Sequence, residues 1–171
     1  FLSLVVLLVT VGSVEAQPAS DTSVSVEATY LKNIRQVTSG FVKAGEGYFS
    51  PDATQIVYQA ITKDYPFYQI YTQPLAGGRP RLLSTGRGRT TCSYFSLDGK
   101  RIMYSSSHTD PQMTETEQAE IKQQAEDRKN GVRRRYSWPF DPHTDMYVAD
   151  LDGNILKRLT TADGYDAEGA Y

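Results

Sequence analysis

A run of seven residues returns along this chain at a fixed distance, and a chain that repeats itself has few folds open to it. Glu46-Gly47-Tyr48-Phe49-Ser50-Pro51-Asp52 comes back as Cys92-Ser93-Tyr94-Phe95-Ser96-Leu97-Asp98, a shift of 46. Gln55-Ile56-Val57-Tyr58 comes back as Arg101-Ile102-Met103-Tyr104 at the same shift, and Arg35-Gln36-Val37-Thr38 as Arg81-Leu82-Leu83-Ser84. The next copies follow after 76: Ile70-Tyr71 matches Met146-Tyr147, Leu83 matches Leu159, and Phe95 matches Tyr171. Glu168-Gly169-Ala170-Tyr171 also restates Glu46-Gly47-Tyr48-Phe49. Landmarks in both halves of the unit agree on both shifts. The chain is therefore built of one module, with extra residues lodged in its second copy.

Each module carries four short runs of strand character, at 47–50, 55–59, 69–73 and 81–84 in the first copy. Turn residues separate them. Pro51 fixes φ and Asp52 can bond its own backbone, Asp98-Gly99 does the same work in the second copy, and Gly77-Gly78 closes the third run. Asp152-Gly153 between 146–149 and 155–159 is a strong hairpin signal. Twelve Tyr and six Phe favour strands as well. Four antiparallel strands in about 45 residues make one blade of a β-propeller. The fold class is all-β: a propeller of four-stranded antiparallel blades, incomplete over this length, with a helical insertion in one blade.

Tyr48-Phe49-Ser50-Pro51-Asp52, Tyr94-Phe95-Ser96-Leu97-Asp98-Gly99-Lys100-Arg101-Ile102 and Met146-Tyr147-Val148-Ala149-Asp150-Leu151-Asp152-Gly153 resemble the WD40-like repeat of TolB-type propellers. Arg158-Leu159-Thr160 and Arg35-Gln36-Val37-Thr38 are similar to that repeat's last element. Ala53 stands where the family uses Gly and Leu97 where it uses Pro. The resemblance covers residues 30–171 apart from the insertion, and it implies an N-terminal fragment of a longer protein, marginal when isolated. It further implies a non-catalytic scaffold whose partners are proteins, envelope lipoproteins or translocation components among them. Prolyl-oligopeptidase-type serine peptidases carry a propeller of this sort before a hydrolase domain, and that remains the alternative, with the hydrolase lying beyond Tyr171. A propeller lyase with a histidine-held metal is a third reading.

Residues 1–16 read as the apolar and cleavage regions of a signal peptide, with Val14-Glu15-Ala16 at the cleavage point. A dozen apolar residues are too few to span a bilayer, which needs about 20. Residues 17–29 read as a flexible mature N-terminus beginning at Gln17, and the compartment expected is periplasmic or secreted, with no membrane span after cleavage. The single cysteine, Cys92, excludes disulfide scaffolds and Cys-rich zinc sites by counting, and outside the cytoplasm it is expected to be buried and inert. A formal charge of −2 from 18 basic and 20 acidic residues argues against a nucleic-acid partner. No cofactor motif is present: Gly86-Arg87-Gly88-Arg89 lacks the residues of a phosphate loop.

The insertion, residues 109–144, carries the chain's individuality. Thr114-Glu115-Thr116-Glu117 fits a capping box, and Asn130-Gly131 after Arg128 and Lys129 fits a helix end. The helix has a thin apolar face and is expected on the surface. Arg133, Arg134, Arg135, Tyr136 and Trp138 follow, a combination suited to an acidic or aromatic partner. Arg87 and Arg89 are expected on the same rim. A structural alternative pairs these arginines with the helix's own carboxylates while Trp138 and Phe140 pin the excursion. His108-Thr109-Asp110 and His143-Thr144-Asp145 echo each other at the neck, where His108, Asp110, His143 and Asp145 are a candidate metal set and a hydrogen-bonded clamp is the alternative. Ser105-Ser106-Ser107 lacks a Gly-x-Ser-x-Gly elbow, so a serine nucleophile has little support.

Overall fold

A computed structural model describes residues 27–135 and 137–171. The signal-peptide reading, most of the expected flexible N-terminus and Tyr136 lie outside the described residues. The chain divides into two units, Phe1–Arg35 and Gln36–Tyr171. In the first, a single helical turn, α1 (Glu27–Tyr30), is described. All that follows concerns the second.

Two antiparallel meanders make up most of it. Strands β1 (Lys43–Phe49), β2 (Gln55–Ile61), β3 (Gln69–Pro74) and β4 (Arg81–Leu82) pair in chain order. Strands β5 (Thr90–Phe95), β6 (Arg101–Ser106), β7 (His143–Asp150) and β8 (Ile155–Arg158) repeat that order. A fifth short strand, β9 (Gly164–Tyr165), adds to β7 in parallel, a pairing the sequence reading did not foresee. Helix α2 (Met113–Asn130) leaves between β6 and β7, where the shift of 76 places the extra residues. The described residues are thus mostly β: the first sheet has the four strands the repeat calls for, and the second adds β9 to its four.

The repeat is reproduced atom by atom at its turns. Ser50 Oγ donates to Asp52 at 2.6 Å and accepts from the Gln55 N–H at 2.9 Å. Ser96 Oγ donates to Asp98 at 2.6 Å and accepts from the Arg101 N–H at 3.0 Å. These hydrogen bonds hold the Asp52 and Asp98 carboxyls below their ordinary range. The position after the Asp is left-handed in both copies, Ala53 at φ 54° and Gly99 at φ 67°. Alanine tolerates that region poorly, at a cost of about 1–2 kcal/mol, of which the extra freedom of unfolded glycine returns part. Ala53→Gly is expected to stabilise the protein by about 1 kcal/mol in urea unfolding, and Gly99→Ala to destabilise it by a similar amount. Equal midpoints for wild type and Ala53→Gly would contradict the strain.

The two sheets share one core. Val57, Ile70 and Leu83 of the first pack with Phe95, Ile102, Tyr104, Tyr147 and Ala149 of the second, all nearly or fully buried. Strand β2 is buried on both faces from Val57 to Ala60, as a strand covered on both sides requires, whereas Phe49 at the end of β1 stays exposed. Strand β5 lies against β1, β2 and β3, so the repeated first strand is the contact element between sheets. Tyr48 and Tyr94, equivalent in the repeat, meet there with ring centroids 4.0 Å apart.

Helix α2 forms without the expected capping box. Its N-cap is Gln112, with no side-chain bond, and the Glu117 carboxylate reaches instead to Tyr65 Oη (2.6 Å) and the Arg87 guanidinium (2.7 Å). Tertiary partners outbid the local one. The C-terminus is as expected: Gly131 is left-handed at φ 65°, and the Val132 N–H closes on the Asp127 carbonyl at 2.9 Å. Met113 is the helix's buried residue, which fits a surface position.

Candidate functional site

The site is a cavity of about 810 Å³ between α2, the segment after it and the β2–β3 loop. Strands β1 and β2 end there with Lys43 paired to Ile61, which brings one ammonium to the rim. The β2–β3 loop supplies an aromatic wall from Phe67 and Tyr68, beside Pro66. Phe67 is buried and carries the Arg89 guanidinium over its ring at 3.8 Å. Burial lowers the Arg89 pKa, yet a guanidinium keeps its charge at any physiological pH. Across the cavity the Trp138 ring stacks near Tyr68, centroids 6.2 Å apart, and its indole N–H donates to Tyr165 Oη at 2.6 Å. Phe140 lies against Tyr165 at 5.4 Å. Together these rings pin residues 137–140 to the sheets.

Charge sets the cavity's character. Arg133, Arg134 and Arg135 line it with Lys43 and Arg89, and Glu120 is the acidic residue among its lining groups. Glu120 is already engaged: it accepts from Arg134 at 2.6 Å and from Gln124 at 2.8 Å. Burial raises its pKa, but the Arg134 and Gln124 hydrogen bonds outweigh that and leave it below the ordinary value. Arg134 also reaches Asp127 at 2.6 Å, so this arginine straps the segment to the helix. The ion pairs here use Arg87 and Arg134; among the described residues Arg133 and Arg135, both exposed, enter none. The cavity thus presents two cations, Arg133 and Arg135, that no carboxylate among the described residues pairs.

The sequence candidates separate on this geometry. Arg89, Arg133, Arg134, Arg135 and Trp138 come together around the cavity, whereas Arg87 is spent on Glu117 and Thr114 at the start of α2. Lys43, Phe67 and Tyr68 were missed in the sequence. The aromatic cluster at 65–68 was the available signal, and nothing local announced that Lys43 would face it. At the neck, the metal candidates do not converge. His143 Nε2 lies 3.8 Å from Asp110, but Asp145 is buried and accepts from Arg158 at 2.5 Å and from Thr160 at 3.2 Å. Among the described residues no group of three or more His, Cys, Asp or Glu side chains is placed to hold a metal ion. Ser106 shares a 2.9 Å hydrogen bond with His108 Nδ1 but is fully buried, which denies it to any substrate. Cys92 is buried, and burial raises its thiol pKa.

No family model and no curated protein matches this chain. Twenty-one chains of solved structures do. One, assigned as TolB from Agrobacterium tumefaciens, is 16% identical over 75% of this chain, with a TM-score of 0.47. The match spans 38% of that neighbour's length.

One consequence of the neck is measurable. His108 packs on Tyr147 at 4.5 Å, and burial, then Arg158, lowers its pKa against the opposing pull of Asp145. A base with a depressed pKa in the folded state leaves the unfolded chain binding more protons below about 6.5. Stability is therefore expected to be full above that pH and to fall as pH drops below it. His108→Gln should flatten the slope between pH 7 and the onset of carboxylate titration, while an unchanged slope would assign it elsewhere.

Proposed function

We propose that this chain is part of a non-catalytic, extracytoplasmic TolB-like β-propeller that serves as a protein-interaction scaffold, and that its 810 Å³ cavity receives an acidic segment of the partner. The observation that carries the reading is the cavity's charge: Lys43, Arg89, Arg133 and Arg135 surround it beside Trp138, Phe67 and Tyr68, against one carboxylate that Arg134 already neutralises. Arginine beside a partly buried tryptophan is a frequent composition of binding hot spots. Two repeated meanders sharing a core support the propeller. The apolar leader-like start of the sequence supports the compartment.

A synthetic peptide alternating glutamate and phenylalanine tests the site. Affinity should fall with added salt, because the attraction is between exposed or half-exposed charges. Arg133→Ala with Arg135→Ala should weaken binding about tenfold or more, at little cost in stability for two exposed residues. Arg134→Ala should act differently, destabilising α2 by about 1 kcal/mol through its partly exposed ion pairs. Equal peptide affinity for the wild type and the Arg133/Arg135 variant would place recognition on another face.

A further inference from the structure

A second cavity, about 190 Å³, lies where β1, β2 and β5 meet residues 165–168. Its lining follows from the repeat. Glu46, Cys92 and Glu168 occupy one position in three successive copies, and all three are left-handed, at φ 48°, 53° and 60°. In β1 and β5 this position is a bulge, with register shifts between Gly45 and Tyr48 and between Thr91 and Tyr94. A bulge re-aims a side chain. Here three of them line one small space.

The chemistry of that space is one-sided. Two of the three residues are carboxylates, and among the described residues neither enters an ion pair. The Cys92 thiol is raised by burial, so it adds no charge at neutral pH. Gln59 lines the same cavity at 8% exposure, and its Oε1 has no hydrogen-bond partner. An acceptor buried without a donor costs about 1–3 kcal/mol, so its presence in a wall calls for a donor from outside. The Thr91 hydroxyl is occupied, within 3.4 Å of Glu46 and 3.2 Å of Cys92. Trp138 and Tyr165, locked to each other by their hydrogen bond, add aromatic faces that favour a cation.

We propose that this cavity binds a primary ammonium group, with Glu46 and Glu168 balancing its charge and Gln59 Oε1 taking one of its three hydrogens. Three donors on one small cation match three acceptors. A metal ion suits the site less, since no three His, Cys, Asp or Glu side chains among the described residues are placed to hold one. The ammonium could be carried by a lysine side chain or by a polypeptide's amino terminus. The site shares the Trp138 wall with the cationic cavity but none of its charged groups, and its occupancy does not depend on the function proposed above.

Trp138, the single tryptophan of the chain, lines this cavity as well as the larger one, so its emission responds to ligand in either and the variants below assign the change. Titration of the full chain with butylammonium chloride should give a saturable emission change that sodium chloride at equal ionic strength does not. Glu46→Gln with Glu168→Gln should weaken it about tenfold, since each replacement removes a charge-assisted contact. The Arg133/Arg135 variant should titrate as the wild type does, which separates this site from the larger cavity. N-acetyl-lysine amide and glycine amide then distinguish a side-chain ammonium from an amino terminus. Absence of saturation in the wild type, an unchanged titration in the double glutamine variant with native circular dichroism, or a tighter response to calcium chloride than to butylammonium would overturn the proposal. Should the double variant fail to fold, Glu168→Gln alone, outside the described strands, carries the same comparison.

Discussion

Gly88→Ala is expected to destabilise the protein by about 3 kcal/mol or more, the sum of left-handed strain and a steric conflict with no flexible partner. Gly88 sits at φ 74°, and a Cβ added there would lie 2.5 Å from the His108 nitrogen, 2.7 Å from its Cα and 2.9 Å from the Ser107 carbonyl carbon. All three are backbone atoms, so relief requires the β4–β5 loop to lift from residues 107–108. That would part the Ser107 N–H from the Arg89 carbonyl, now 3.1 Å away, and the Gln69 amide from the Gly88 carbonyl, now 2.7 Å away. Arg89 would then lose its seat over Phe67, and peptide affinity should fall together with stability. Gly86→Ala is the control in the same loop: φ is 80°, but its nearest neighbour is a Leu82 methyl at 3.8 Å, so strain alone should cost about 1 kcal/mol. Equal urea midpoints for the two variants would show that the loop is free to lift.

Ile102→Ala is expected to cost about 3–4 kcal/mol, within the range for removing a fully buried aliphatic side chain from a tight core. Ile102 is inaccessible to solvent, with Phe95 and Ala149 as its cross-strand partners in the second sheet. It belongs to the cluster that also holds Val57, Ile70 and Leu83 of the first sheet. Because the core is shared, both sheets should weaken together, and unfolding should stay a single transition by near- and far-ultraviolet circular dichroism. A biphasic transition in the variant would mean that the sheets fold as separate units.

Local chemistry made much of the strand pattern readable. Asp98-Gly99 and Asp152-Gly153 mark turns whose backbone needs are met within a few residues, and both turns form where expected. The same reasoning failed at Thr114–Glu117, because a carboxylate at a helix start is free to choose a distant partner. Tyr65 and Arg87 lie 52 and 30 residues away in the chain, and no spacing rule points to them. Arg133, Arg134 and Arg135 show the same limit from the other side. Three identical neighbours in sequence have different roles, because only Arg134 reaches both Glu120 and Asp127.

What the sequence determined by itself is the module: its length, its four strands, its turns and the place where thirty-odd residues interrupt it. Those features rest on periodicity and on contacts between near neighbours, which any stretch of chain carries with it. Only the tertiary structure decided which charges are spent and which are left over. Arg89 finds Phe67, Lys43 joins the arginine segment, and Glu46, Cys92 and Glu168 converge because two sheets and an excursion pack against one another. Electrostatic balance is a property of neighbours in space, and neighbours in space are set by the packing of whole elements.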